Sequence, residues 1–224
     1  MEDLLAAAGL RKADVDRLGE AMRREELTEE RITAFRVYSD AFTPALASVV
    51  VSLQAVGAPP ITERLKTIRS TVAKLRRGTA RLSQVQDIVG CRLVVPSLRE
   101  QNDFLAQVSA EHADWRVYDR RSEPSHGYRA VHVVAILGGL PVEVQIRTEL
   151  QHIWAELSEA WDHLYEGLKY GSGPPEILEL LRRASLALQT VEDLDFPASG
   201  RDEEIALHND LKAAIRNLFP SNSP

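Results

Sequence analysis

An apolar, β-branched run, Tyr128–Leu137, is followed by Gly138-Gly139 and then by a second extended stretch that carries Glu143–Thr148. A glycine pair between two extended runs predicts a tight hairpin and therefore two neighbouring antiparallel strands. In the second run Val142, Val144 and Ile146 alternate with Glu143, Gln145 and Arg147. As a strand it buries one face and shows an acid, an amide and a guanidinium on the other. Taken alone, that alternation fits a half-exposed edge strand with a solvated face better than a reaction site, because it is common among antiparallel strands. Thr148 is placed to end the strand and cap a helix beginning near Glu149.

Around this hairpin, Ile88–Val95 reads as a buried strand ended by Pro96, Leu98–Glu111 as a helix and Trp115–Tyr118 as a short strand. Strands mixed with helices predict an α/β (α+β) fold with a mixed sheet flanked by helices. In front, residues Glu2–Glu26 read as a helix or helix pair broken near Gly9, and Thr28 caps a helix towards Gln54, kinked at Pro44. Gly57-Ala58-Pro59-Pro60 is a stop. Behind, a helix after Thr148 buries Leu150, Ile153, Trp154, Leu157, Ala160, Trp161, Leu164 and Leu168, and runs to the break at Gly171-Ser172-Gly173. Its other side carries His152, Glu156, Glu159 and His163, without the HExxH spacing of a metal site. Then come a helix over Glu176–Val191, an acidic loop at Asp193-Leu194-Asp195, and a last helix over Asp202–Leu218. The expected division is a helical layer over 1–60, a core over 61–170 and a helical extension over 171–224.

The stretch Thr62–Gly78 reads as an amphipathic helix with Leu65, Ile68, Val72 and Leu75 inward. Lys66, Ser70, Lys74, Arg77 and Arg81 fall within about 80° of one another on the opposite side, with Arg64 at the helix start. No acid follows Glu63 until Asp87, so the repulsion along this face has no local compensation. The chain as a whole has 27 basic and 33 acidic side chains and a net charge of -6, which argues against broad coating of nucleic acid. A cationic face inside an acidic protein points instead to a phosphate-rich ligand. Cys91 is the only cysteine, which excludes an internal disulfide and a cysteine zinc site, and its parity with Val89 and Leu93 makes it a core residue. The acidic start lacks a signal-peptide pattern and Ala45–Ala58 is too short to span a bilayer, so a cytoplasmic protein with no membrane partner is expected.

Asp87 at the start of one strand and Glu143 on another can hold Mg²⁺ between them, since that ion prefers oxygen ligands and bridges phosphate oxygens. No Walker or kinase glycine loop is present. Four motifs occur in order: Arg64-x-Lys66-x-x-x-Ser70-x-x-x-Lys74, Asp87-Ile88-Val89-Gly90-Cys91-Arg92, Gly127-Tyr128-Arg129-Ala130-Val131-His132, and Glu143-Val144-Gln145-Ile146-Arg147-Thr148. Together they resemble the RelA/SpoT alarmone synthetases, whose fold is similar to that of nucleotidyltransferases.

The resemblance implies an ATP-dependent GTP/GDP pyrophosphokinase that moves the β,γ-pyrophosphate of ATP to the 3′-hydroxyl of GDP or GTP, with Mg²⁺ as cofactor. It implies that Asp87 and Glu143 hold the metal, that Glu143 also activates the hydroxyl, and that Gln145 assists. Arg64, Lys66, Ser70 and Lys74 would meet the ATP phosphates, while Arg77 and Arg92 would enclose the adenine. Tyr128, His132, Arg147 and His152 would serve the acceptor. The chain departs from the family in having Glu123-Pro124-Ser125-His126 where many members have a lysine, and His152 where small synthetases often have asparagine. It has no His-Asp doublet, which implies synthesis without hydrolysis. A second reading is a toxin-type relative acting on tRNA 3′ ends or adenine nucleotides, with Arg116, Arg120, Arg121 and Arg129 as a basic surface and a neutralising antitoxin as partner. A third is an inactive nucleotide-binding module. A homo-oligomer built through terminal helices and a monomer are equally open.

Overall fold

The computed structural model of the chain describes residues 9–193 apart from 163 and 166. The expected helix before Gly9, the helix over Asp202–Leu218, the acidic loop beyond Asp193, and His163 lie outside the described residues. Strands β1 (Ile61–Leu65), β2 (Val89–Val95), β3 (Arg116–Asp119), β4 (Val131–Leu137) and β5 (Leu140–Thr148) form one mixed sheet in the order β1-β2-β5-β4-β3. The helices are α1 (Lys12–Arg24), α2 (Glu29–Asp40), α3 (Thr43–Ala55), α4 (Ile68–Arg77), α5 (Leu98–Glu111), α6 (Glu149–Asp162) and α7 (Pro175–Asp193).

The hairpin turn is as expected, with Gly138 at φ 54 and Gly139 at φ 77. The edge-strand reading of Glu143–Thr148 is overturned, because β5 lies between β2 and β4. Its polar face is covered as well: Gln145 is 6% exposed and Arg147 2%. Alternation alone could not separate a solvated face from a covered polar one.

The described residues divide into two compact units. The first takes in the described part of Met1–Leu93 with Gln107–Val117 and His132–Gln145. In it α1 packs on α4 and on a 3-10 turn at Leu82–Gln84. Gly19 makes that approach feasible, since a Cβ there would lie 2.5 Å from the Cβ of Leu82. Tyr38 meets Phe42 edge-on at 5.2 Å, and Cys91 is core, its thiol pushed up to about 12 by burial.

Two expectations for this unit need correction. The helix read over Thr28–Gln54 is two helices, for Phe42 turns into the core and Pro44 stands in the first turn of α3. A proline there needs no hydrogen-bond partner, whereas deeper in a helix it would clash with the preceding turn. The helix read over Thr62–Gly78 is a strand followed by a helix. Ile61–Leu65 pairs antiparallel with β2, Ile61 opposite Leu93 and Leu65 opposite Val89. Thr67 then caps α4, its Oγ1 accepting from the Ser70 amide at 3.1 Å. Leu65 is consequently 57% exposed rather than core.

The second unit takes in Val94–Ala106, Tyr118–Val131 and the described residues from Ile146 onward. Its core is Trp154, Ala155, Leu168 and Leu181, with α6 packed on α7. Trp154 Nε1 donates to the Leu181 carbonyl at 2.8 Å. Helix α6 stops at Asp162, short of the expected break, and the Gly167 amide donates to Asp162 Oδ1 at 3.0 Å. Gly167 and Gly171, both left-handed, flank a 3-10 turn at Leu168–Tyr170. Ala160 and Leu164, expected in the core, are exposed, Leu164 at 76%. No helix among the described residues is long and apolar enough to cross a membrane.

Candidate active site

The loop between α4 and β2 carries Asp87 to the mouth of β2. There Lys66 Nζ holds one carboxylate oxygen at 2.9 Å and Lys74 Nζ the other at 2.8 Å. Lys66 reaches it from the end of β1, its own amide bonded to the Ile88 carbonyl at 2.9 Å. Lys74 reaches it from α4, one turn beyond Ser70. Burial alone would raise Asp87, but the two ammonium groups more than offset it and hold the carboxyl below its ordinary 3.8. The cationic face is therefore compensated after all, by an acid 21 residues from Lys66 in the chain. Arg76 likewise turns away, donating to the carbonyls of Arg23 and Glu25.

Glu143 is fixed on both oxygens. His132 Nδ1 lies 2.8 Å from Oε1, and Gln145 Nε2 donates to Oε2 at 2.7 Å. Burial pushes Glu143 up, but the His132 contact and the Gln145 amide outweigh it and the nearby charge of Asp87, leaving the carboxyl below its ordinary 4.5. His132 is thus neither a plain core histidine nor an isolated one.

Asp87, Glu143, Gln145 and Arg64 line one small open pocket with Gly90. Arg64 is the register partner of Gly90. A Cβ at Gly90 would lie 2.2 Å from the Glu143 carbonyl oxygen, so the bare backbone there brings Glu143 close to β2. Arg92 follows two residues later on the same face of β2 and is half-buried, while Arg77 in the last turn of α4 is exposed. Among the described residues no group of three or more His, Cys, Asp or Glu could hold a metal ion. Two carboxylates facing a shared pocket nonetheless suit Mg²⁺, which is commonly bound through one or two carboxylates together with substrate phosphates and water.

Depressed carboxyls carry a consequence for stability. Both acids bind protons less readily folded than unfolded, so the contribution is present above 3.8 and 4.5 and is lost as the pH falls below them through the folded values. Urea unfolding of the wild type and Asp87→Asn is expected to differ near neutral pH and to converge below about pH 4. A gap that stayed constant would show that the lysine pairs do not stabilise the fold.

The remaining residues expected at the site belong to the second unit. Arg147 Nη2 donates to the Tyr128 hydroxyl at 3.1 Å, and its guanidinium carbon lies 5.3 Å from the Tyr128 ring centre. His152 is half-buried on α6, 3.8 Å from Glu156 Oε1. Sequence reasoning missed what surrounds these groups. Arg129 is bound to Glu192 at 2.5 Å in an ion pair closed to solvent, and Thr148 donates to the other oxygen of the same Glu192. Gln101 Nε2 donates to the Ile146 carbonyl at 2.8 Å and to Gln151 at 2.9 Å. Only Thr148 had a legible sign, its capping position, for its Oγ1 accepts from the Gln151 amide at 3.1 Å.

Residues 63–168 match the sequence profile of the region found in RelA / SpoT proteins. The chain is 38% identical over 122 residues to an uncharacterized protein of Mycobacterium tuberculosis, a match covering 52% of this chain and 45% of that one. The chain thus spans less than half the length of that relative. It is 28% identical over 149 residues to a GTP pyrophosphokinase of Bacillus subtilis, covering 59% of this chain and 68% of the relative. In fold it resembles small alarmone synthetase 1 from Bacillus subtilis, solved with its product pppGpp, at a TM-score of 0.59 and 21% identity over 79% of this chain and 98% of that one. Residues 63–168, which hold all four motifs, are therefore a region of the kind found in RelA / SpoT proteins, in a chain that shares the fold of small alarmone synthetase 1.

Proposed function

We propose that the protein transfers the β,γ-pyrophosphate of ATP to the 3′-hydroxyl of GDP or GTP, forming a bond from the 3′-oxygen to the β-phosphorus, breaking the one to the α,β-bridging oxygen and releasing AMP. The observation that carries this reading is the pocket in which Asp87 and Glu143 meet beside Arg64, with Lys66 and Lys74 already gathered on Asp87. Phosphoryl-type transfer asks little covalent chemistry of a protein and depends on positioning and on offsetting charge. Lys66 and Lys74 turn from Asp87 to the incoming phosphates, joined by Arg64 and by Ser70 at the start of α4, where free helix amides favour anions. The planar guanidinium groups of Arg77 and Arg92 take the adenine. Asp87 and Glu143 would hold Mg²⁺, which would supply charge neutralisation for the transferred group. Glu143 is ionised at neutral pH and oriented by His132 and Gln145, as a general base for the 3′-hydroxyl must be. Tyr128 stacks on the acceptor base, Arg147 steadies Tyr128, and His132 and His152 complete the acceptor contacts.

The toxin-type reading loses ground on one observation. Of its four basic residues, Arg129 is buried against Glu192, and Arg121 is held by Asp119 with help from Asn102 at 2.6 Å. That leaves Arg116 and Arg120 as the exposed cations of that reading. Incubation with labelled ATP, Mg²⁺ and, separately, GDP, GTP, ADP, ATP or tRNA tests the choice. Transfer to GDP or GTP is expected. Transfer to tRNA or adenine nucleotides alone would replace the reading with its toxin-type relative, and transfer to none would leave a binding module.

A further inference from the structure

Helix α7 lies beyond residues 63–168, the span that matches the family profile. It is nevertheless fastened to two of the family motifs. Ser185 Oγ donates to the Gly127 carbonyl at 2.6 Å, and both groups are buried. One helical stretch later, Glu192 takes Arg129 Nη1 at 2.5 Å on one oxygen and the Thr148 hydroxyl on the other. Tyr128 sits between the two fastened residues, Gly127 and Arg129. Thr148 is the residue after Arg147, which bonds the Tyr128 hydroxyl.

The backbone of this loop has few alternatives. His126 has φ 52 and Gly127 φ 92, both left-handed. A side chain on Gly127 would lie 2.8 Å from the Trp154 ring and 3.3 Å from the Ser185 Cβ. Non-glycine residues in the left-handed region are held there by their surroundings and cluster at functional sites. Here Gly127 is walled by α7 and Trp154, while the His126 ring lies against Gly171, where a Cβ would come within 2.3 Å of it. A buried carboxylate held on one oxygen by a guanidinium and on the other by a hydroxyl has little freedom to reorient.

We infer that Glu192, assisted by Ser185, is a positioning residue for the acceptor nucleotide: it sets the orientation of Tyr128 and Arg147 from behind, without touching substrate. The inference rests on the acceptor role proposed for Tyr128. It predicts that damage to Glu192 is felt on the acceptor side of the reaction and spares the ATP side, which is built on β1, α4 and β2.

The test uses the full chain and the variants Glu192→Gln, Glu192→Ala and Ser185→Ala, with GDP and GTP as acceptor probes. Glu192→Gln keeps the size and an acceptor for Arg129, turns the other acceptor into a donor that the Thr148 hydroxyl oxygen can take, and removes the charge. Its KM for acceptor is expected to rise about tenfold, the order set by losing a charge-assisted hydrogen bond. Its KM for ATP should stay within about twofold, and Ser185→Ala should show the same split more weakly. Equilibrium titration with GDP, read alongside, should show the same weakening in Kd. An unchanged acceptor KM and GDP Kd in Glu192→Gln would overturn the inference. So would a parallel rise in both KM values tracking a lower Tm, because that is the mark of a structural role. If Glu192→Ala does not fold, Glu192→Gln still decides. Wild-type protein that binds neither GDP nor GTP would instead sink the proposed function, and the inference with it.

Discussion

Glu143→Gln is expected to reduce pyrophosphate transfer by about 10²–10⁴-fold, the range that a positioned general base contributes. The loss should be larger still if the metal departs with the charge. The amide matches the carboxylate in size and can keep partners in His132 and Gln145, which now hold it at 2.8 Å and 2.7 Å. The melting temperature should therefore fall only by the share that the Glu143 charge contributes at neutral pH. Single-turnover transfer from labelled ATP, with circular dichroism melts of both proteins, checks the two halves together. Wild-type turnover in the variant would remove Glu143 from the reaction.

Leu75→Ala is expected to have the largest effect on stability, about 2–5 kcal/mol, as befits a truncated and fully buried leucine. Leu75 is 1% exposed on α4, with Val72 at 6% on the same face. The cost is a large share of the total stability of an ordinary domain, about 5–15 kcal/mol. Because α4 also carries Ser70 and Lys74, part of the loss should appear as a raised KM for ATP under mildly destabilising conditions. Urea unfolding at fixed temperature measures it through the midpoint and slope. A loss below about 1 kcal/mol would mean that the site collapses around the smaller side chain.

What could be read in advance had local causes. Gly138-Gly139 announced the β4–β5 hairpin because two consecutive left-handed residues need glycine. Helix α5 was legible to the residue, and Ser97 caps it, its Oγ accepting from the Glu100 amide at 3.3 Å. The start of α4 was misread because Leu65 happens to keep helical spacing with Ile68, Val72 and Leu75. The contrary sign, the capping Thr67, was weaker than that stripe. The motifs located Asp87 and Glu143, yet spacing could not reveal that Lys66 and Lys74 close on Asp87. Still less could it reveal Glu192, whose partner Arg129 is 63 residues away. Contacts of that kind arise from packing, and a helix face does not announce which buried carboxylate it will supply.

The sheet order has a consequence for how the chain is made. Strand β5 is the last of the five to be synthesised and the middle one in space. Until Leu140–Thr148 has left the ribosome, β2 and β4 each wait with an unsatisfied edge, open to pairing with the wrong chain. The nascent polypeptide can zip the sheet only once the stretch bearing Glu143 arrives. Closure of the sheet thus waits on the last of its strands to be made.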